Sequence, residues 1–313
     1  MTTHLQNYLM KDSNRGMGWG YYTIDVDYVG DNFRANVKPT QKRFLDFSKT
    51  YVLVGCEPET MYRPGTEPAE LDFFWWDNSQ LPHLRYPSPS NPKADKAWSR
   101  LTHRSWATPV LAPVHLSHRT RVNRKLNEFS GGVIQDISDL WGQTRDNSPV
   151  KNRNCLVIRS SDRNYREFYG TTWEQYWSKV QPVLDRWGYT YTVRSKVSPK
   201  ARVGNQITDQ IREGGFDCVL AHHSAGASEA VVSGTPVITT SAWNPARAVS
   251  TPWEQFAQTG GVEIFTREAI DRWVTQTCAY TYHRTELLNL SWIDVHPDAT
   301  HLKEAKDAIY KTV

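Results

Sequence analysis

The sequence predicts an α/β protein in two parts, the second built on a parallel sheet with helices on both faces. Three observations carry this. From about residue 155 onward, short apolar runs alternate with amphipathic stretches, the pattern of parallel strands linked by crossover helices. Within that half, Cys218-Val-Leu-Ala-His-His-Ser-Ala-Gly-Ala-Ser-Glu-Ala-Val-Val-Ser-Gly-Thr-Pro-Val-Ile-Thr-Thr240 reads as strand, small-residue turn, short helix and strand. The texture also changes near Gln143–Asn154, a polar stretch holding Pro149, where a linker between domains belongs.

A chain of 313 residues is long enough for two domains. The expected division is 1–148, 149–280 and a C-terminal segment, 281–313, that can cross back to the first domain. In the first part the strand candidates are Tyr21–Tyr28, Thr50–Val54 and Pro109–Leu116, and the proline-rich segment Tyr62–Pro92 reads as long loop. In the second part Cys155–Arg159 reads as a strand and Ser160–Tyr169 as a loop. Thr172–Trp187 reads as a helix, with Trp173, Tyr176, Trp177, Val180, Val183 and Leu184 along one face and Gly188 ending it. Thr190–Arg194, Cys218–Ala221 and Pro236–Thr239 are strands; Asn205–Gly214 and Ser228–Ser233 are helices. Ala269–Tyr280 and Leu302–Tyr310 close the chain as helices.

Composition narrows the function. Mean hydropathy is −0.62 and 39% of residues are hydrophobic, values of a soluble globular protein. No apolar stretch is long enough to span a bilayer, and the first residues lack the pattern of a signal peptide, so a cytoplasmic protein with no membrane partner is expected; a monomer is the expected state. Cys56, Cys155, Cys218 and Cys278 are widely spaced with no C-x-x-C pair, which suits buried free thiols. Net charge is +4, which permits a polyanionic partner without requiring one. Residues 100–125 concentrate cations and hold no acid. Arg100, Arg104, Arg119, Arg121, Arg124 and Lys125 are the candidates for contact with a phosphate backbone, the alternative being a solvated face. Most of the 13 tryptophans belong in the core.

Three strand ends in the second part share one sheet edge: Arg159-Ser160-Ser161-Asp162, Arg194-Ser195-Lys196, and His222-His223-Ser224-Ala225-Gly226-Ala227-Ser228-Glu229. Ligands of open α/β sheets bind at that edge. Cations, hydroxyls and a helix N-terminus together suit a diphosphate. The candidates are Arg159, Ser160, Ser161, Arg194, Lys196, His222, His223, Ser224, Gly226, Ser228 and Glu229, the last as an acceptor from ribose hydroxyls. His222 and His223 are adjacent on a strand end and point apart, with no nearby Cys or Asp to complete a ligand set, so no metal is expected. No Gly-x-Ser-x-Gly elbow marks a nucleophilic serine.

This second part resembles the nucleotide-sugar-binding domain of GT-B glycosyltransferases. The resemblance rests on His222-His223-Ser224, the small turn through Gly226, Ser228-Glu229-Ala230 and Gly234-Thr235-Pro236-Val237-Ile238. Residues 150–245 also look like a group of bacteriophage-encoded glycosyltransferases, some of whose relatives glycosylate hydroxymethylated bases in DNA, and Arg194-Ser195-Lys196 looks like their sugar-phosphate-side loop. The resemblance implies two Rossmann-like domains facing each other across a cleft. It implies a UDP-sugar donor in the second domain, an acceptor in the first, no metal requirement, and a host-cytoplasmic location if the chain is phage-encoded. Only Glu229 stands where many retaining members carry a Glu-x7-Glu pattern, which leaves inversion or retention open. The favoured acceptor is a hydroxymethylated base in double-stranded DNA; a glycan or small molecule, or a non-catalytic nucleotide- or nucleic-acid-binding protein, are the alternatives. A base in a duplex must be flipped out to react, and Trp75, Trp76, Trp98 and Trp106 are wedge candidates. An inverting transfer needs a base. Asp25 and Asp27 share one strand face after the glycine run Gly16–Gly20, and Asp77 and Glu57 are the other candidates.

Overall fold

The computed structural model describes residues 20–23, 50–54, 72–79, 81, 98–103, 115–140, 152–162, 165, 170–195, 207–213, 215–242, 244–288 and 291–303. In the first part, alternating and aromatic-rich segments pair into strands: β1 (Gly20–Thr23), β2 (Thr50–Val54), β3 (Asp72–Asn78) and β4 (Trp98–His103). Strand β3 lies inside the segment read as loop from its prolines. The prolines fall outside the aromatic core Asp-Phe-Phe-Trp-Trp-Asp-Asn, whose residue types favour a pleated surface. The basic stretch also differs from the expected strand at Pro109–Leu116: Leu116 opens helix α1 (Leu116–Phe129) instead. Residues 24–28 and 109–114 lie outside the described residues.

The second part follows the predicted alternation closely. Strand β5 (Asn154–Ile158) leads to helix α2 (Trp173–Arg186), β6 (Thr190–Arg194), α3 (Ile207–Glu213), β7 (Cys218–Ala221), α4 (Gly226–Val232), β8 (Val237–Thr239), β9 (Thr251–Pro252) and α5 (Trp253–Thr259). Helix α2 forms where the apolar stripe requires it. Its start is fixed by a reciprocal cap: the Gln175 amide donates to the Thr172 hydroxyl at 3.2 Å, and the Thr172 amide donates to the Gln175 side-chain carbonyl at 3.0 Å. Gly188, at φ +70, ends it in the left-handed conformation.

These five strands form an all-parallel sheet in the order β6-β5-β7-β8-β9. Alternation along β5 divides its side chains. Cys155 and Val157 join Val180 and Leu184 of α2, while Leu156 and Ile158 join Ile207, Ile211, Ala227 and Ala230 of α3 and α4. Every side chain from Cys155 to Ile158 and from Cys218 to Ala221 is buried, worth about 1.5–3 kcal/mol for each large one. The crossover from β5 covers one face, and the crossover to β7 covers the other. The strand order therefore reverses between β5 and β7, and such a topological switch point opens a crevice beyond the strands' carboxyl ends.

Helix α6 (Arg267–Cys278) then leads into β10 (Thr281–His283), α7 (Arg284–Leu288) and α8 (Trp292–Val295). Strand β10 pairs with β4 antiparallel, Thr281 opposite Arg100. The first sheet has the order β1-β2-β3-β4-β10. Only β2 and β3 are parallel; the other neighbours run antiparallel. This mixed sheet differs from the second Rossmann-like sheet that the resemblance implies. Phe74 and Leu101 of this sheet pack against Tyr282, Leu287, Trp292, Ile293, Ala299 and Leu302. Helix α1 packs on α6 and contributes Val122 and Leu126 to the same apolar cluster as β5 and β7, so one core spans both sheets.

Candidate functional site

The parallel register decides what gathers at the carboxyl edge. Ile158 pairs with Arg194 on one side and with Ala221 on the other, and Ala221 pairs with Thr239. The loops that begin at Arg159, Ser195, His222 and Thr240 therefore leave the sheet side by side. The Arg159 amide donates to the Arg194 carbonyl at 2.9 Å and the Thr240 amide to the Ala221 carbonyl at 3.1 Å, which extends the ladder into the loops.

Arg159 is half-buried. Its guanidinium sits 5.1 Å from the centre of the Trp173 ring and pairs with Asp162 at 2.6 Å. The aromatic face and the carboxylate hold the cation in place. Arg194 donates to the Gln210 side-chain carbonyl of α3, so it too is positioned. Ser160 is buried and Ser161 half-buried beside them. Lys196 lies outside the described residues.

The turn after β7 is less open than expected. The Gly226 amide donates to the Ser224 hydroxyl at 3.2 Å, and the Ala227 amide donates to the Ser224 carbonyl at 3.0 Å. Two amides expected to face an anion are thus engaged within the turn, and α4 has seven residues, too few for a strong terminal dipole. All of α4 is buried, with Ser228 at 0% and Glu229 at 4% exposure. Both were expected to touch the donor; as the chain stands they offer it almost no surface. Gly226 has a packing role. A Cβ there would meet the Cδ1 atoms of Ile158 and Ile207 at 2.7 Å, so any larger residue must push both isoleucine ends aside for α4 to sit on β5 and α3. Gly226→Ala is expected to cost about 1–3 kcal/mol by overpacking, measured by urea denaturation. A cost near zero would show that the two isoleucines move aside freely.

His222 is held at this edge by several partners. Its Nδ1 lies 2.8 Å from the Thr240 hydroxyl, which lies 2.9 Å from the Tyr176 hydroxyl. Its carbonyl accepts from the Asn244 side-chain amide at 2.9 Å. Tyr176 meets the ring edge-on at 5.4 Å. Burial among these groups pushes the imidazole down to about 4, because a charged ring there loses its water. His222 is therefore neutral at physiological pH. The unfolded chain takes up the proton first as the pH falls from the ordinary value of 6.5. This group's share of stability is present above that value and is lost as the pH drops towards 4. Denaturation midpoints across that range should fall more steeply for the wild type than for His222→Gln; parallel curves would remove the histidine as the cause.

Thr240, Tyr176 and Asn244 were not singled out from the sequence as site residues. Thr240 had a usable signal: it follows the predicted strand ending at Thr239, as His222 follows Ala221. Tyr176 read as part of a packing stripe, and nothing local marked Asn244.

The basic stretch requires correction. Arg100 is fully buried in β4. Arg121 is buried at 8% exposure and pairs with Glu286 at 2.8 Å. Arg119 bridges Asp136 at 2.6 Å and Asp271 at 2.7 Å. Burial opposes the charge on Asp136, but bonds from Arg119 and Ser138 outweigh it and hold the carboxyl far below the usual carboxylate range. Arg119 and Arg121 are internal fastenings and Arg100 is buried, so the three present no row of charge to a phosphate backbone. Arg124 is exposed, and Lys125 pairs with Glu128 at 2.8 Å. Arg104, Asp25, Asp27, Glu57 and Trp106 lie outside the described residues. Trp98, a wedge candidate, is buried at 6% exposure and packs edge-on against His283. Trp75, Trp76 and Asp77 lie on β3, with Asp77 opposite Arg100 in the backbone register.

Among the described residues no three His, Cys, Asp or Glu side chains come together as a metal-binding group. None of the described helices is long and apolar enough to cross a membrane.

No family model matches the sequence, and no curated protein does. Among solved structures, the chain is similar to the beta Kdo 2,7 transferase KpsC of Thermosulfurimonas dismutans, with a TM-score of 0.40 and 11% identity over 82% of this chain and 85% of that chain.

Proposed function

We propose that this chain is a glycosyltransferase that holds a nucleotide-diphosphate sugar, UDP-linked in the favoured version, at the crevice between β5 and β7. The observation that supports this most is the side-by-side exit of the Arg159, Arg194 and His222 loops at the switch point of an all-parallel sheet. Two positioned guanidinium groups and a neutral imidazole suit the oxygens of a diphosphate. In the transfer, the bond between the sugar's anomeric carbon and the diphosphate oxygen breaks, and the acceptor oxygen bonds to that carbon. The arginines stabilise the charge that collects on the leaving diphosphate. A carboxylate from the first part takes the acceptor's proton, with Asp25, Asp27, Asp77 and Glu57 as its candidates.

The acceptor is a hydroxyl. The narrower version, a hydroxymethylated base in duplex DNA, loses three of its six expected cations to internal ion pairs and burial. It is tested separately, by duplex binding as a function of salt.

The decisive experiment is titration calorimetry and thermal shift with UDP-, GDP- and ADP-sugars. A bound donor should raise the melting temperature by mass action. Arg159→Ala and Arg194→Ala should each weaken binding by a factor of about 10 to 100, the worth of a charge-assisted hydrogen bond. A wild-type protein that binds none of the three classes would sink the proposal, as would full affinity in both variants.

A further inference from the structure

The site holds a feature that the donor reading does not use: a chain of hydroxyls behind His222. Tyr176 comes from α2, Thr240 from the residue after β8, and His222 from the residue after β7. Three separate elements thus converge on one hydroxyl oxygen, with Tyr176 Oη at 2.9 Å and His222 Nδ1 at 2.8 Å from Thr240 Oγ1. The imidazole is held in other ways too. Asn244, fully buried, fixes its main chain at 2.9 Å. Tyr165 lies roughly parallel to the ring at 6.5 Å, and Tyr176 meets its edge at 5.4 Å.

A threonine hydroxyl has one proton to give. With an aromatic hydroxyl on one side and an imidazole nitrogen on the other, the acidities order the chain. A phenol is the stronger donor, and an unprotonated imidazole nitrogen is the stronger acceptor. The phenol proton therefore points at Thr240, and the Thr240 proton points at Nδ1. The ring's own hydrogen is then left on Nε2.

We infer that Tyr176 and Thr240 are positioning residues that lock His222 in the Nε2–H tautomer, so that an uncharged donor faces the phosphate oxygens of the nucleotide sugar. This rests on the donor reading above. It assigns the two hydroxyls a role in orienting the ring, not in touching substrate. A neutral donor beside Arg159 and Arg194 adds a directed hydrogen bond without a third positive charge. The diphosphate can then leave at the end of the reaction without breaking another ion pair.

The test is made on the full chain with histidine labelled at both ring nitrogens. Two-bond proton–nitrogen spectra report the tautomer of His222, assigned by its disappearance in His222→Gln. The wild type should show a single Nε2–H form. Thr240→Val, nearly the same shape without the hydroxyl, should give mixed tautomers and roughly tenfold weaker UDP-sugar binding by calorimetry, the fold-change of one hydrogen bond. Tyr176→Phe should do the same in smaller measure, and Thr240→Ser should restore both readings. Should Thr240→Val fail to fold, as judged by circular dichroism, Tyr176→Phe carries the test alone. An unchanged Nε2–H signal in the folded variants overturns the inference, as does an Nδ1–H form in the wild type. Donor binding that persists at full strength in Thr240→Val overturns it while leaving the donor reading intact. A wild type that binds no nucleotide sugar overturns the donor reading itself, and with it the role assigned to the ring, while the spectra still report on the hydroxyl chain.

Discussion

Arg121→Ala is expected to lower stability by about 3–5 kcal/mol, the cost of breaking one side of a buried ion pair. The guanidinium donates to Glu286 at 2.8 Å, to the Cys278 carbonyl at 2.9 Å and to the Thr281 carbonyl at 2.6 Å. It also lies 4.4 Å from the centre of the Tyr282 ring. Its removal leaves a buried carboxylate and two carbonyls without the donor they face. Helix α1 is tied through this side chain to the end of α6 and to β10, the strand that joins the C-terminal segment to the first sheet. Arg121→Lys should recover little, because a single ammonium cannot reproduce a fork spread over three acceptors. Urea denaturation at neutral pH measures both, with an unchanged slope marking a true loss of native stability. A loss below about 1 kcal/mol, the range of surface pairs, would mean that water reaches the site and replaces the guanidinium.

Gly260→Ala is the second large effect. Gly260 ends α5 at φ +65 with its amide donating to the Phe256 carbonyl at 2.8 Å. A side chain in this left-handed conformation costs about 1–2 kcal/mol by itself. Here a Cβ would also meet Trp187 Cδ2 at 2.4 Å, with Cε3 and Cγ at 2.6 and 2.7 Å. The indole cannot swing away cheaply, since its Nε1 donates to the Ala257 carbonyl at 3.3 Å. Overpacking should add about 1–3 kcal/mol. Gly188 provides the control: its φ is +70, yet the nearest atom to a Cβ is Arg153 Nη1 at 3.6 Å. Gly188→Ala should therefore show the conformational cost alone. Equal melting temperatures for the two variants would contradict the assigned clash with Trp187.

Legibility of the sequence followed the kind of signal each element carries. Thr190–Arg194 and Cys218–Ala221 form strands with the predicted bounds, and α2 begins and ends within a residue of the expected helix. Each is a periodic run closed by a turn residue, and both signals are local. Strand β3 was missed because flanking prolines outweighed a short aromatic run. Helix α1 was missed because its charge drew notice before its spacing: Val122 and Leu126 are four apart, and Arg121 joins them inside.

At the site, the sequence placed Arg159, Arg194 and His222 on one edge because parallel strands all end on the same side. Gly226, Ser228 and Glu229, which read as ligand contacts, lie buried in α4.

By itself, then, the sequence determined the parallel α/β character of the second half, its strand ends and the residues emerging there. Those properties follow from periodicity and turn chemistry within a dozen residues. Tertiary structure alone decided the mixed first sheet, the return of β10 to it, the burial of Arg100 and Arg121, and the pairing of Arg119 with Asp136 and Asp271. It also decided the meeting of Tyr176, Thr240 and His222. The reason is physical. Whether a cation faces water or a carboxylate, and which hydroxyl meets an imidazole, depends on partners up to 165 positions away, as for Arg121 and Glu286. Local pattern says nothing of them.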